Sequence, residues 1–251
     1  SMHYSYPMGL LPIIEKFGTE EQKKRLIPPF VAGEKLIAMS ITEPAAGSDD
    51  AAMTATATVK GDKVILNGQK TWVTLGHISD HALVFTRDLD NPKPHRALTE
   101  WIVPLDAPGV TVTEIPKIGW WTAGSCEMFL DNVELNYEEA LLGEPNNGWK
   151  QLMFGFGHER AVIAAQVLGW AEAALDDAAA YANKRVQFGQ PIGSFQLIQK
   201  KIADMALKIE LAKNLVYKTA WMVDNNQPLR VIPAMAKLYV TTMCQEVCDD
   251  A

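Results

Sequence analysis

The 251-residue sequence predicts an α+β multidomain chain with helices first, a central antiparallel β-domain second and a helical bundle last. Three observations support this fold class. Apolar residues recur with a helical period near the start, short β-branched runs replace them from about Ile37, and long helical stripes return after Pro145. We therefore expect a remnant of an N-terminal helical domain at 1–36, a β-domain at 37–145 and an incomplete C-terminal bundle at 146–251.

The opening segment contains a clear helix-start signal. Thr19-Glu20-Glu21-Gln22 forms a capping box, so a second helix begins after Thr19. Gly18 and the pair Pro28-Pro29 are predicted to stop helices. The first apolar segment has no leading cap, and the last helical stripe has no Gly, Pro or basic turn at its end. We therefore expect both ends to be truncated.

The β-domain prediction depends on short alternating runs that are separated by turn residues. Asn67-Gly68 and Ala107-Pro108-Gly109 are two of these predicted turns. The predicted strands include residues 54–59, 64–66, 82–86 and 110–113. A barrel or a sandwich would accommodate strands of this number and length.

Three long helices are predicted for the rest of the chain, at about 149–183, 194–225 and from 231 onward. The second contains an apolar stripe at 3- and 4-residue steps, as an antiparallel bundle requires. The stripe consists of Ile198, Ile202, Met205, Ala206, Ile209 and Ala212.

Composition and charge exclude several function classes. The formal net charge is −7, so the whole chain has no positive field for nucleic acid or an anionic membrane. Charges interrupt the apolar stretches before about 18 residues, so we expect no membrane insertion. The three cysteines match neither a disulfide framework nor a zinc site, and we expect no metal. A reducing compartment fits this composition, either a bacterial cytoplasm or, in a eukaryote, the mitochondrial matrix.

Two neighbouring segments are suited to a flat, anionic ligand. The loop 41–49 combines hydroxyls with small residues, so its backbone N–H groups can approach a phosphate or a flavin edge. An ordinary Pro/Gly turn is the alternative interpretation. In the next segment, the period of two places Trp72 and Thr74 on one face of a strand, as a stacking surface beside a hydroxyl.

A family resemblance emerges from four motifs taken together. The sequence contains, in this order, TEPAAGSD, NGQKTWVTLG, DNVEL and RVQFGQPIGSFQLIQ, on the α, β, α pattern described above. The chain thereby resembles the acyl-CoA dehydrogenase family over its whole length. The resemblance implies an N-terminal helical domain, a central β-domain and a C-terminal four-helix bundle, with FAD between the β-domain and the bundle. It also implies homodimers or homotetramers and an electron-transferring flavoprotein as the redox partner.

The resemblance also implies roles for single residues. Trp72 would pack on the isoalloxazine, and Thr74 would hydrogen-bond near its N5. Backbone and hydroxyl contacts to the flavin would come from Met39, Ile41, Thr42, Gly47 and Ser48. An Arg-x-x-Phe segment, with Arg185, Gln187 and Phe188, would reach the diphosphate and adenosine side of FAD in the neighbouring subunit. The alternative for Arg185 is a helix C-cap before Gly189.

The catalytic base is less well defined than the flavin site. In most members of the family it lies C-terminal to the end of this chain, whereas in some it is a Glu that matches Glu159. Arg160 and Ser48 would contact the thioester substrate. The alternative is that Glu159 and Arg160 only support the start of the helix and the CoA contact.

The expected function is interconversion of acyl-CoA and 2,3-enoyl-CoA thioesters, by α-proton abstraction and β-hydride transfer to flavin N5. Four further segments resemble the crotonobetainyl-CoA reductase branch, which suggests reduction of enoyl-CoA as an alternative direction. These segments are residues 99–101, 125–127, 158–160 and 181–189. A non-catalytic acyl-CoA-binding or assembly homologue is a further alternative, and a monooxygenase on the same fold is a minor one.

Overall fold

The computed structural model describes residues 2–251, with side chains from residue 9 onward. The chain divides into two compact units, residues 1–155 and 156–251. The domain boundaries expected after residues 36 and 145 differ from this division and stay predictions. Ser1, with which the first predicted domain begins, lies outside the described residues.

Two helices open the first unit, α1 (Met2–Phe17) and α2 (Glu20–Val31). The predicted capping box is present: Gln22 N donates to Thr19 Oγ1 at 3.2 Å, and Thr19 N donates to Gln22 Oε1 at 3.0 Å. The predicted stop at Pro28 is wrong, because both prolines lie within the last turn of α2. Proline lacks the N–H group but keeps its carbonyl, so the last turn can still form hydrogen bonds such as the one of 2.9 Å from Ala32 N to Pro28 O. The helix ends two residues after Pro29, at Val31.

Eight strands and one short helix follow. They are β1 (Ile37–Ser40), β2 (Thr56–Lys60), β3 (Lys63–Thr74), β4 (His81–Arg87), β5 (Leu98–Pro104), β6 (Val110–Glu114), β7 (Ser125–Asn136), α3 (Tyr137–Ala140) and β8 (Leu141–Leu142). One sheet has the order β1-β4-β5-β8 and the other β2-β3-β7-β6. The pairs are antiparallel as predicted, except β1 with β4, which is parallel.

The two sheets pack face to face around one apolar core, so this unit contains a β-sandwich. Val84 and Trp101 come from the first sheet, and Leu66, Val73 and Met128 from the second. The indole Nε1 of Trp101 donates to Thr86 Oγ1 at 2.8 Å, which satisfies its one donor in the core.

The predicted turn at Asn67-Gly68 is wrong, since both residues lie within the 12-residue strand β3. The pairing with β7 shifts register between Leu66 and Gly68, which marks a β-bulge. A Cβ on Gly68 would lie 2.6 Å from the Cβ of Ala55. Glycine is therefore required here by a close approach and by its φ of +149°, not by a turn.

The second unit is helical. Its elements are α4 (Gly148–Lys184, which begins in the first unit), β9 (Val186–Gln187), β10 (Gln190–Pro191), α5 (Gln196–Asp224) and α6 (Ile232–Asp250). The ends of the three long helices agree with the predicted ones to within two residues. Met205, Ile209 and Ala212 of the predicted stripe lie in the buried core of this unit. The short β9–β10 hairpin was not predicted.

Among the described helices, none is both long and apolar enough to cross a membrane. Within the same part of the chain, no cluster of three or more His, Cys, Asp or Glu side chains could hold a metal ion.

A carboxyl group is buried on the face of β5 that is turned away from the sandwich core, since the next residue, Trp101, points into that core. Glu100 lies in the middle of β5, opposite Phe85 and Leu142, and its side chain is fully buried. Neither of its carboxyl oxygens has a hydrogen-bond partner among the described residues, and the same holds for Oε1 of Gln151. Gln151 Nε2 donates 2.8 Å to the carbonyl of Leu142, the register neighbour of Glu100. Burial raises the pKa of Glu100 well above its usual range, so the neutral acid is favoured.

We expect the Glu100→Gln substitution to stabilise the protein increasingly as pH rises. Above the ordinary glutamate pKa the native state holds a proton that the unfolded state has lost, so the parent loses about 1.4 kcal/mol per pH unit until the raised pKa is reached. Urea unfolding at mildly acidic and neutral pH measures this gap. The exposed Glu138→Gln is the control for the substitution itself. A gap that is equal at both pH values would contradict a raised pKa.

Candidate functional site

The segment after β1 is held against the end of β3. Thr71 N donates to Thr42 O at 2.8 Å, and Lys70 Nζ donates to Ile41 O at 3.0 Å. Lys70 and Thr71, adjacent residues of β3, therefore fix the backbone carbonyls of Ile41 and Thr42 at the start of the predicted flavin loop.

Glu43 and Lys70 form a buried ion pair beneath this loop. Lys70 is fully buried, and its Nζ lies 2.9 Å from Glu43 Oε1. The carboxylate also accepts 2.9 Å from Ala55 N, and 2.6 and 2.8 Å from the backbone N and hydroxyl of Thr54. Both carboxylate oxygens are thus satisfied, as a buried charge requires.

The pKa values of the pair reflect burial and mutual attraction. Burial alone would raise the pKa of Glu43, but Lys70 and the hydrogen bonds from Thr54 and Ala55 hold it below its ordinary value. Burial lowers the pKa of Lys70, and Glu43 opposes that change. The hydrogen bonds from Thr54 and Ala55 therefore help to keep the Glu43 carboxylate charged. The pair connects three segments of the chain, namely the loop after β1, residues 54–55 and β3.

At the second register shift between β3 and β7 the extra residue lies in β3, and this β-bulge turns Trp72 outward. Lys70 pairs with Met128 and Val73 with Cys126, so two residues of β3 oppose the single residue Glu127 of β7. Trp72 has a φ of +59°, which is unusual and strained for a bulky residue. Without this bulge the period of two would place Trp72 on the same side as the buried Lys70.

The bulge leaves a flat aromatic surface in solvent. Trp72 is 59% exposed, Thr74 is half-buried, and Val73 between them is buried in the core. The side chain of Met39, by contrast, is buried, so only its backbone is available to a ligand. An indole that is largely exposed and is held by a strained backbone is suited to stacking on a planar ligand.

The tip of the loop also fits a ligand that approaches closely. Glu43 and Ala46 pair as a β-bridge, with Glu43 N donating to Ala46 O at 2.9 Å, and exposed Gly47 and Ser48 follow. A Cβ on Gly47 would meet no atom within 4 Å. The packing of this chain therefore does not require glycine there, whereas the close approach of a cofactor would.

In the second unit, the Arg-x-x-Phe segment forms the β9–β10 hairpin. Phe188 and Gly189 occupy its two-residue turn with φ of +50° and +78°, as in a type I′ turn. Phe188 is 95% exposed, and its ring lies edge to face with the ring of Phe195, with the centroids 6.3 Å apart. Arg185 lies at the base of the hairpin, where its carbonyl accepts 2.8 Å from Ile192 N.

Glu159 and Arg160 lie on α4 in the same unit. Burial raises the pKa of Glu159, and nearby Arg160 and Lys237 partly offset this increase. The guanidinium of Arg160 lies 5.5 Å from the ring centroid of Phe156, within cation–π range. A carboxylate whose pKa is raised is a stronger proton acceptor than an ordinary one, as a general base requires.

The structure brings Ile41, Thr42 and the Trp72 bulge together in the first unit. It holds Arg185, Gln187 and Phe188 together in the hairpin of the second. The sequence prediction assigned no role to Glu43 or Lys70, although both lie within its motifs. One signal could have identified them: Lys70 lies in register with the inward positions Val64 and Leu66, and a charged residue at a core position needs a buried partner.

Two family models match the chain. The model described as acyl-CoA dehydrogenase, middle domain, matches residues 38–133, and the model described as acyl-CoA dehydrogenase, C-terminal domain, matches residues 146–251. The probable acyl-CoA dehydrogenase YdiO of Escherichia coli is 43% identical over 95% of this chain. The chain spans 62% of the length of that relative.

Solved structures agree with this result. Butyryl-CoA dehydrogenase from Megasphaera elsdenii is 38% identical with a TM-score of 0.91, over 95% of this chain and 63% of its own. A chain from a structure described as the electron-transferring flavoprotein of Acidaminococcus fermentans is 37% identical with a TM-score of 0.94, over 98% of this chain and 65% of its own.

We expect Lys70→Met to destabilise the protein by about 3 to 5 kcal/mol, because it leaves the Glu43 carboxylate buried without its cation. Lys63→Met on the same strand removes only a surface pair with Glu134 and should cost less than about 1 kcal/mol. Chemical denaturation measures both changes.

The double variant Glu43→Gln, Lys70→Met buries neither charge and should be more stable than Lys70→Met alone. If the two substitutions simply add, the ion pair does not couple these segments.

Proposed function

The chain belongs to the acyl-CoA dehydrogenase family. From this premise we propose that the protein is an FAD-dependent oxidoreductase that acts on acyl-CoA thioesters. One observation carries the proposal: the exposed Trp72 ring at a strained bulge, beside Thr74 and the pinned backbone of Ile41 and Thr42. This combination offers a stacking surface, a hydroxyl and fixed polar backbone groups to one planar ligand.

The residues of the chain divide the binding of FAD between two surfaces. Trp72 stacks on the isoalloxazine, and Thr74 hydrogen-bonds near its N5. Backbone and hydroxyl groups of the loop complete the first surface; they belong to Met39, Ile41, Thr42, Gly47 and Ser48. Arg185, Gln187 and Phe188 bind the diphosphate and adenosine side in a neighbouring subunit. The near-complete exposure of Phe188 at the tip of the hairpin supports contact with another surface.

In the proposed reaction, a carboxylate removes the α-proton of the thioester. Bound flavin supplies the acceptor for the hydride that leaves the β-carbon. Glu159 is the candidate base in this chain, and its raised pKa makes its carboxylate a stronger proton acceptor than an exposed glutamate. Arg160 and Ser48 orient the thioester. A base from a segment outside this chain is the alternative.

The proposed partners follow from the same chemistry. The substrate is an acyl-CoA or enoyl-CoA thioester, and an electron-transferring flavoprotein exchanges the electrons. A homodimer or homotetramer is required if Arg185 acts in trans. Cys126, Cys244 and Cys248 are free, which supports a reducing compartment such as a bacterial cytoplasm. Reduction of an enoyl-CoA, as in the crotonobetainyl-CoA reductase branch, is the alternative direction.

Anaerobic stopped-flow mixing of the purified flavoprotein tests the reaction. A saturated acyl-CoA should bleach the visible flavin band, and an enoyl-CoA should reoxidise the reduced protein. Bleaching without reoxidation by crotonobetainyl-CoA excludes that alternative direction. A preparation that stays colourless after FAD is added supports the non-catalytic homologue instead and rejects the proposed oxidoreductase. Product that forms only with oxygen indicates a monooxygenase.

If Glu159 is the base, Glu159→Gln should lower the bleaching rate at least about 100-fold while FAD binding is unchanged, because general base catalysis contributes this much. Glu172→Gln on the same helix removes only a surface pair with Lys213 and serves as the control. Equal bleaching rates for Glu159→Gln and its parent would place the base elsewhere.

Arg185→Ala should weaken FAD binding by roughly 10- to 100-fold, since a charge-assisted hydrogen bond contributes about 1.5 to 3 kcal/mol. The neighbouring Lys184→Ala is the control. Co-expression of Arg185→Ala with Trp72→Ala should restore some tight FAD sites, because one site of a mixed dimer contains neither substitution. No restoration would contradict binding in trans.

A further inference from the structure

Two cysteines on α6 lie one helical turn apart, outside the site described above. Cys244 and Cys248 have their sulfur atoms 4.0 Å from each other, and both thiols are free. Cys244 is 6% exposed and belongs to the core of the second unit, whereas Cys248 is exposed. The pair therefore joins the apolar interior of the unit to its surface.

Ion pairs on both sides hold this turn of α6 in place. Lys208 bonds Glu246 at 2.8 Å, and Lys201 bonds Asp250 at 2.7 Å, so α5 holds α6 before and after Cys248. The two sulfurs are consequently presented at a fixed separation and not on a loose segment.

The separation excludes one kind of bridge and favours another. A disulfide needs Cβ atoms about 3.5 to 4.5 Å apart, but residues four apart on a helix have theirs about 5 to 6 Å apart. Direct oxidation would therefore distort the helix. Two sulfurs that bind one pyramidal central atom at about 2.3 Å, the length of a typical metal–thiolate bond, lie roughly 3.5 Å apart. The sulfurs of Cys244 and Cys248 are 4.0 Å apart, so a small rotation of the two side chains closes the difference without moving the helix backbone.

The coordination number narrows the chemical class of the ligand. Among the described residues no third His, Cys, Asp or Glu is placed to complete a metal cluster. A centre that binds here must accept two sulfur ligands and bring any other substituent with it. Monosubstituted trivalent arsenicals have this requirement.

We propose that Cys244 and Cys248 form a two-thiol site for thiophilic centres of the monosubstituted trivalent arsenical class. Cys248 attacks first because it is exposed, and Cys244 then closes the ring. Each sulfur forms a bond to arsenic as an arsenic–oxygen bond breaks, and the two thiol protons leave with the oxygen as water. Arsenic stays trivalent, so no oxidant or reductant is needed.

Titration of the folded chain with phenylarsine oxide tests the site. Intact-protein mass spectrometry should find one phenylarsenic group per chain, in place of two thiol protons. The adduct should survive an excess of a monothiol and be removed by a dithiol, because chelation makes the second bond intramolecular.

Cys248→Ala should weaken binding roughly 100-fold or more, and Cys244→Ala should do the same. Cys248 is exposed, so its substitution tests the proposal even if the buried Cys244→Ala unfolds the bundle. Cys126→Ala is the control, since that thiol is fully buried in the β-sandwich. Unchanged binding by Cys248→Ala, or lost binding by Cys126→Ala alone, overturns the proposal. Neither outcome depends on flavin or on the proposed activity.

Discussion

The buried ion pair between Glu43 and Lys70 is the interaction on which the candidate flavin surface depends. Lys70 reaches the carbonyl of Ile41, and Glu43 accepts from both backbone and side chain of Thr54 and from the backbone of Ala55. Three segments that are distant in sequence are therefore held by two side chains. A buried pair of this kind contributes little to net stability compared with apolar packing. Its contribution here is geometric, because it holds the carbonyl of Ile41 and the backbone N–H groups of Thr54 and Ala55 at fixed positions beside the candidate flavin surface.

The bulge next to Lys70 explains how one strand can serve two purposes. Lys70 must point into the core to reach Glu43, whereas Trp72, two residues later, must point into solvent. A regular strand cannot do both, because its side chains alternate with a period of two. The extra residue in the β3–β7 pairing reverses the alternation, and the positive φ of Trp72 is the local strain that this reversal requires.

Two buried glutamates show that environment, not burial alone, decides the charge state. Glu43 has four donors and a pKa below its ordinary value, whereas Glu100 has no hydrogen-bond partner in the described part of the chain and a pKa well above it. Glu43 therefore belongs to an electrostatic network beside the ligand surface. Glu100 is favoured as a neutral acid on the face of β5 opposite the sandwich core. Sequence patterning does not distinguish the two cases, since each Glu lies beside apolar residues.

The sequence by itself determined the order of helices and strands, the capping box at Thr19 and the family. These features are local, because helical period, cap chemistry and motif order are all written along the chain. Only the tertiary structure decided that β1 runs parallel to β4, that Asn67-Gly68 continues a strand, and that Lys70 and Trp72 face opposite ways. Each of these depends on the register of a partner strand that lies dozens of residues away, and no local pattern encodes that register.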